Sequence, residues 1–235
     1  MPPSSNHLLS RLLQTTPEAA QRLERVNLSP GALPTEVRKE EEGHLYFPEA
    51  GLIGLYWQGT PLMNVRTAWL GCHACWWPGY WMGSSLKLHV LQAGHAQRIG
   101  WSVLQADPQR YAPWLQQTAA VSQQLIHQMA QMVYCAQNHN TLQRLASSLL
   151  VVLHQNPHSG EHLSVSELAN WLSCSAGDVQ LAAQTLQSQG AMQMTSTPGT
   201  GVQVHNLQPQ MLATLACSCH LEVAQSDAAS SAIQI

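Results

Sequence analysis

The sequence predicts an α+β fold in three parts: an N-terminal β-roll, a long dimerisation helix and a C-terminal winged helix-turn-helix. Three observations carry that expectation. Short apolar segments punctuated by Gly, Pro or Asn recur between residues 33 and 104, the rhythm of strands and turns in a roll or sandwich. From Asp107 to Tyr134 the apolar positions change to a spacing of three and four, which marks a helix. Between Ser164 and Gln189 two helix starts then lie eleven residues apart. Ser164 with Glu167 fits the S-x-x-E capping box, in which each side chain satisfies a backbone N–H at the helix start. Ser175 with Asp178 repeats the spacing with an acid one methylene shorter.

Taken in order, Asn6–Leu13 reads as a short amphipathic helix and Pro17–Val26 as a second, with Pro in its first turn. Leu33–Lys39, His44–Phe47, Gly51–Trp57, Pro61–Leu70, Leu86–Gln92 and Ala96–Leu104 read as strands, with Glu40–Gly43 an acidic turn. On the long helix, Thr118, Val121, Leu125, Met129 and Met132 form one apolar stripe, the expected interface of a homodimer, the alternative being the core face of a single domain, with Gln116, Gln117, Gln123, Gln124 and Gln131 on the outer face. Thr141–His154 is a further helix. Leu168, Ala169, Leu172, Val179, Ala182 and Leu186 are spaced to bury one face of each helix of the following pair. The second helix of such a pair usually enters the DNA major groove. Ala191–Thr195 and Val202–His205 are the strands of the wing, around the turn Ser196–Gly201. The expected divisions are 1–107 for the roll with its N-terminal helices, 108–137 for the dimerisation helix, 138–222 for the winged module and 223–235 for a flexible tail.

Composition bounds the function. The chain has 235 residues, of which 10% are charged, with one Phe and eight Trp. No apolar run approaches the ~20 residues that cross a bilayer. The start M-P-P-S-S-N-H lacks the layout of a secretory signal, so a cytoplasmic protein with no membrane partner is expected. Six cysteines do not suggest a disulfide scaffold. All ten Lys and Arg lie at or before Arg144, and from Leu145 onward there are five acids and no base. The expected DNA-reading module therefore has the wrong sign for a phosphate backbone. His154, His158, His162, His205 and His220 add charge there only in acid. No G-x-S-x-G, P-loop or paired-carboxylate signature is present, and Cys72 with Cys75 lacks the βαβ context of a thiol oxidoreductase, so an enzyme is not expected.

Two further groups are candidate sites. Gly71-Cys72-His73-Ala74-Cys75 is a C-x-x-C with an intervening His that suits a soft metal, and Cys72, His73 and Cys75 are its candidate ligands. Zinc needs two more ligands, and Cys217-Ser218-Cys219-His220 is a second half-site in a C-x-C geometry that is strained for one ion. The alternative is that these thiols are small buried hydrophobes. Trp76, Trp77, Tyr80 and Trp81 form an aromatic group that either fills the roll or lines a ligand pocket, for which Trp76, Trp77 and Trp81 are the candidates. With Trp69, Trp101 and Trp114 they are candidates to line a site for a small apolar ligand or a haem, whose only ligand candidates are His73, Cys72, Cys75 and Met82. No resident cofactor is expected on composition.

The order of parts and several local strings resemble the Crp/Fnr superfamily of bacterial transcription regulators. The strings are Asn6-His7-Leu8-Leu9, His44-Leu45-Tyr46-Phe47-Pro48, Cys135 with Asn138-His139, Gln143-Arg144-Leu145-Ala146, and Ala216-Cys217-Ser218-Cys219. The resemblance spans residues 6 to 220. It implies a jelly roll like that of cyclic-nucleotide-binding domains, a homodimer and a DNA-binding winged module. Two departures qualify it. Trp77–Leu91, which matches the family's nucleotide-holding region, has no Glu or Arg and only Lys87, so no response to cyclic nucleotides is expected. By the match to Ser175 and Val179, the DNA-facing positions are Ser175, Ala176, Gly177, Gln180, Leu181 and Gln184, with no cation among them. Gln reads adenine; Leu, Ala and Gly make only apolar contact. Three expectations follow: a working regulator with Gln-led readout, a descendant that has lost DNA and binds a protein partner, or a metal, redox or apolar-ligand sensor acting through Cys72, Cys75 and the Trp group.

Overall fold

A computed structural model describes residues 4–32, 43–60, 63–77, 86–157, 163–197 and 201–232. Asn6 starts the chain's first helix, α1 (His7–Thr15): its side chain accepts from Leu9 N, and its amide donates to the carbonyls of Pro48 and Ala74. The capping residue thus also ties α1 to the sheet. The expected second helix is only a 3₁₀ turn, Pro17–Arg22; the chain then extends into β1 (Glu24–Leu28). β1 pairs with a distant strand, Glu24 opposite Arg98, so a partner seventy residues away overrides the local helical signal.

The two-residue β2 (Gly31–Ala32) comes next. His44–Phe47 and Gly51–Trp57 are parts of one long strand, β3 (His44–Thr60), bent where its register slips between Pro48 and Ile53. Gly51 sits at that bend with φ +95, and a Cβ there would meet the Gln92 carbonyl at 2.7 Å. β4 is Met63–Leu70. Leu86–Gln92 and the start of the Ala96–Leu104 segment likewise merge into β5 (Leu86–Gly100), after which Trp101–Ala106 is helix α2, not strand. These strands form an antiparallel sheet in the order β1–β5–β3–β4, with β2 also on β5. The Leu33–Lys39 strand, the acidic turn at 40–42, Tyr80 and Trp81 lie outside the described residues.

The long helix α3 covers Ala112–Asn138, starting later than Asp107 because Asp107 Oδ1 caps a separate turn at Arg110 N and Pro113 opens the helix proper. Its expected dimer stripe is not free. Val121 and Leu125 are buried in the chain's own sheet core, together with Leu9, Phe47, Leu88 and Trp114; Met129 packs on that core, Thr118 is nearly buried and Met132 lines a cleft beside Arg66 and Arg144. The periodicity shows that a face is apolar, not which surface covers it. The Gln face is corrected too: Gln117 and Gln124 are buried.

Helix α4 (Thr141–Gln155) opens with a complete capping box between Asn140 and Gln143. Then follow β6 (Leu163–Ser164), α5 (Val165–Leu172), α6 (Ala176–Ser188), β7 (Gln193–Thr197), β8 (Gly201–His205) and α7 (Pro209–Leu215). Strands β6, β8 and β7 form a second antiparallel sheet. A second core joins the two halves: Leu52, Tyr56 and Trp69 of the N-terminal sheet pack with Leu145, Leu149, Leu168, Trp171 and Val179. The expected division at residue 222 does not hold. Cys219–Ala232 is a helix, α8, with Val223 in the core and Asp227 only 2% exposed.

Candidate functional site

The helix pair α5–α6 is built as the sequence spacing requires. Ser164 and Glu167 close the reciprocal box. Ser173, in the left-handed region at φ 50, ends α5, and Ser175 starts α6 by accepting from Asp178 N at 3.1 Å. The shorter acid does not reach the backbone; Asp178 Oδ2 accepts from the Ser175 hydroxyl instead, at 2.7 Å. Leu168, Ala169, Leu172, Val179, Ala182 and Leu186 are all buried. Ser175, Ala176, Gly177, Gln180, Leu181 and Gln184 are all exposed on the other face, Leu181 to 66%. A side chain at Gly177 would meet nothing closer than 3.8 Å, so this glycine leaves open space on that face.

The two arginines nearest this pair serve the end of α5. Arg66 donates from Nη2 and Nε to the Trp171 carbonyl at 3.0 and 3.3 Å, while its guanidinium lies 3.8 Å over the Trp69 ring. Arg144 donates to the Leu172 carbonyl and to Cys174 Sγ. Cations at a helix C-terminus complement its partial negative charge. Full burial pulls Arg66 down from the ordinary arginine range to about 9. Arg110 is paired with Glu18 at 2.5 Å. Arg110 and Arg144 are thus engaged in ion pairing and helix capping.

Of the aromatic group, Trp76 is buried against Tyr46, rings 4.7 Å apart, and Trp77 stacks on Trp101 at 3.6 Å. Both line an apolar cavity of about 390 Å³ between the N-terminal sheet and α3, with Leu88, Leu125, Ile126 and Met129. The third candidate, Trp81, lies outside the described residues.

The C-x-x-C loop does not gather its two thiols. Cys75 is buried in the sheet core, and burial pushes its thiol far above the ordinary range. Cys72, pushed up to about 11 by burial, instead groups with His7 and His73. His73 is stacked between His7 and His154, with ring centroids 4.5 and 4.4 Å away. Burial, then the neighbouring His154 and His7, lower it to about 4, so the ring is neutral at pH 7. His154 meets the buried Asp227 at 2.7 Å, and Gln124 and Gln155 donate to the same carboxylate.

A different group of thiols does converge. Cys135 and His139 at the end of α3 meet Cys217 and Cys219 at the start of α8, the four donor atoms all lying within 4.8 Å of one another. The sequence shows each pair, but nothing in it brings together residues some eighty positions apart.

Solved structures share this arrangement of sheet, long helix and C-terminal helix pair. FixK2 from Bradyrhizobium japonicum matches with a TM-score of 0.62 at 15% identity, over 83% of this chain and 98% of that one. A CRP-family transcriptional regulator from Thermus thermophilus matches with a TM-score of 0.57 at 15% identity, over 82% and 96%. CLP, the c-di-GMP-responsive global regulator of Xanthomonas campestris, matches with a TM-score of 0.53 at 15% identity, over 82% and 99%. The fold is that of the Crp/Fnr regulators. At these identities the likeness is one of fold. The family model for the replication protein A C terminal matches residues 105–196, the stretch from α2 into β7. No curated protein matches the chain in sequence. No helix among the described residues is long and apolar enough to cross a membrane.

Proposed function

We propose that this protein is a Crp/Fnr-type transcription regulator that works as a homodimer, does not answer to cyclic nucleotides, and presents α6 to DNA as the recognition helix of a winged helix-turn-helix. The observation that carries the reading is the two-sided character of α6. Its apolar positions are buried against α4 and α5, and every residue expected to face DNA is exposed on a short helix with a serine cap. Gln180 and Gln184, one turn apart, supply the base-reading amides, and the N-terminus of α6 supplies N–H groups for a phosphate. The dimer seam differs from the expected stripe. Ile126 and Val133, seven residues apart, are 66% and 59% exposed, and Ala119 lies seven residues earlier on the same face. The cavity walled by Trp76 and Trp77 suits an apolar effector rather than a cyclic phosphate.

The second reading, a module that has exchanged DNA for a protein partner, is favoured by exposed Leu181 and by the lack of any Lys or Arg after Arg144. A gel shift against a random-sequence duplex library at low salt separates them. Retention of selected sequences, weakened by Gln180→Ala, supports the DNA reader. Failure to retain any duplex overturns it and leaves the protein-binding module.

A further inference from the structure

Cys135 is one turn from the end of α3 and His139 closes that helix, so the two project from the same side. Cys219 is the first residue of α8 and Cys217 lies two before it. Helix α8 packs along α3, which sets the pairs against each other. Cys135 Sγ and Cys217 Sγ are 3.6 Å apart, and Cys219 Sγ is 3.5 Å from His139 Nδ1. A tetrahedral zinc ion with bonds of about 2.3 Å to sulfur and about 2.0 Å to nitrogen has S···S edges of about 3.8 Å and S···N edges of about 3.5 Å. Both observed separations match those edges before any ion is placed. The C-x-C spacing of Cys217 and Cys219 is short for one ion, but the chain turns at Ser218, both cysteines are buried, and both thiols fall in the same cluster.

The hydrogen bond between Cys135 and Cys217 draws the Cys217 thiol below its ordinary range and holds Cys135 above its own.

We propose that Cys135, His139, Cys217 and Cys219 form a closed Cys3His site for one zinc-class divalent cation. Four protein ligands leave no open coordination position, which makes the site structural rather than catalytic. The ion clamps the start of α8 to the end of α3, at the joint where the chain turns from the long helix into α4 and the α5–α6 pair. It thereby fixes how that pair is carried on the long helix. The site stands on its own donors and does not depend on whether α6 contacts DNA.

The test is metal titration of the full chain, stripped by a chelator and kept reduced, with Zn²⁺ alone and with Co²⁺ alone. One equivalent is expected to bind, and Co²⁺ is expected to give thiolate-to-metal charge transfer with tetrahedral d–d bands. Cys219→Ser and His139→Ala should lose the equivalent, whereas Cys72→Ser should keep it. Because a weakened variant can fail through misfolding, His139→Cys is the decisive one. It should retain Co²⁺, with charge-transfer intensity raised by about a third as three thiolates become four. No stoichiometric uptake by the reduced wild type would overturn the proposal. So would uptake unchanged in Cys217→Ser/Cys219→Ser, or a Cys135–Cys217 disulfide in a protein that takes no metal after reduction.

Discussion

Replacing Asp227 by Ala tests whether the C-terminal helix is part of the fold. Its carboxylate is almost wholly buried and accepts from Gln124 Nε2, from Gln155 Nε2 at 2.8 Å and from His154 Nε2 at 2.7 Å. The two glutamines are themselves buried, so truncation strands two donors away from water. Each stranded donor costs about 1–3 kcal/mol, and hydrogen bonds to a charged acceptor contribute about 1.5–3 kcal/mol. Burial opposes this by raising the Asp227 pKa, which means that the carboxylate already bears a desolvation cost in the folded state. The net expectation for Asp227→Ala is a loss of about 3 kcal/mol, within the range for breaking a buried charged network. For a chain of this length that lowers the melting temperature by about 6–12 °C. Asp227→Asn keeps one acceptor oxygen and should cost about half as much. Urea unfolding followed by tryptophan fluorescence measures it, with exposed Glu222→Ala as a control expected within about 0.5 kcal/mol of wild type. Deletion of residues 223–235 should cost at least as much as Asp227→Ala. A loss below about 0.5 kcal/mol for Asp227→Ala or for the deletion would refute the reasoning and restore the frayed tail that the composition suggests.

Three other outcomes follow from the same structure. Ile126→Ala and Val133→Ala should each weaken dimerisation by about 3 kcal/mol, over a hundredfold in Kd, since a symmetric seam counts each side chain twice; sedimentation velocity reads this, and a dimer unchanged by both removes the proposed seam. His73 titrates at about 4 when folded against 6.5 when exposed, so the unfolded chain takes up the proton first on acidification. Its contribution to stability is therefore full above pH 6.5 and is lost as the pH falls to 4, by at most about 3 kcal/mol and less for a ring with partial solvent access. His73→Phe should flatten that part of the stability–pH curve, measured by urea unfolding at pH 7, 5 and 4. Arg66→Ala should destabilise by about 2–3 kcal/mol, because the Trp171 carbonyl loses both donors and Trp69 loses its cover. Arg66→Met keeps the stem and removes a buried charge, so it should be the milder change; equal losses would contradict a desolvation cost at Arg66.

The sequence by itself determined what depends on neighbours three or four residues apart. The caps at Ser164 and Ser175, the buried face of α5 and α6 and the long helix are written in local spacing. Only the tertiary structure decided which surface covers an apolar face and which distant groups meet. The stripe at Val121 and Leu125 went to the chain's own sheet, the Cys72–Cys75 pair was split, and the tail became a docked helix. Arg66 and Trp171 are 105 positions apart, Gln124 and Asp227 103, and Cys135 and Cys217 82. A local pattern fixes the direction a side chain takes from its own helix or strand. The partner at the end of that direction is fixed only when the whole chain closes, because burial and desolvation act through space, independently of sequence distance.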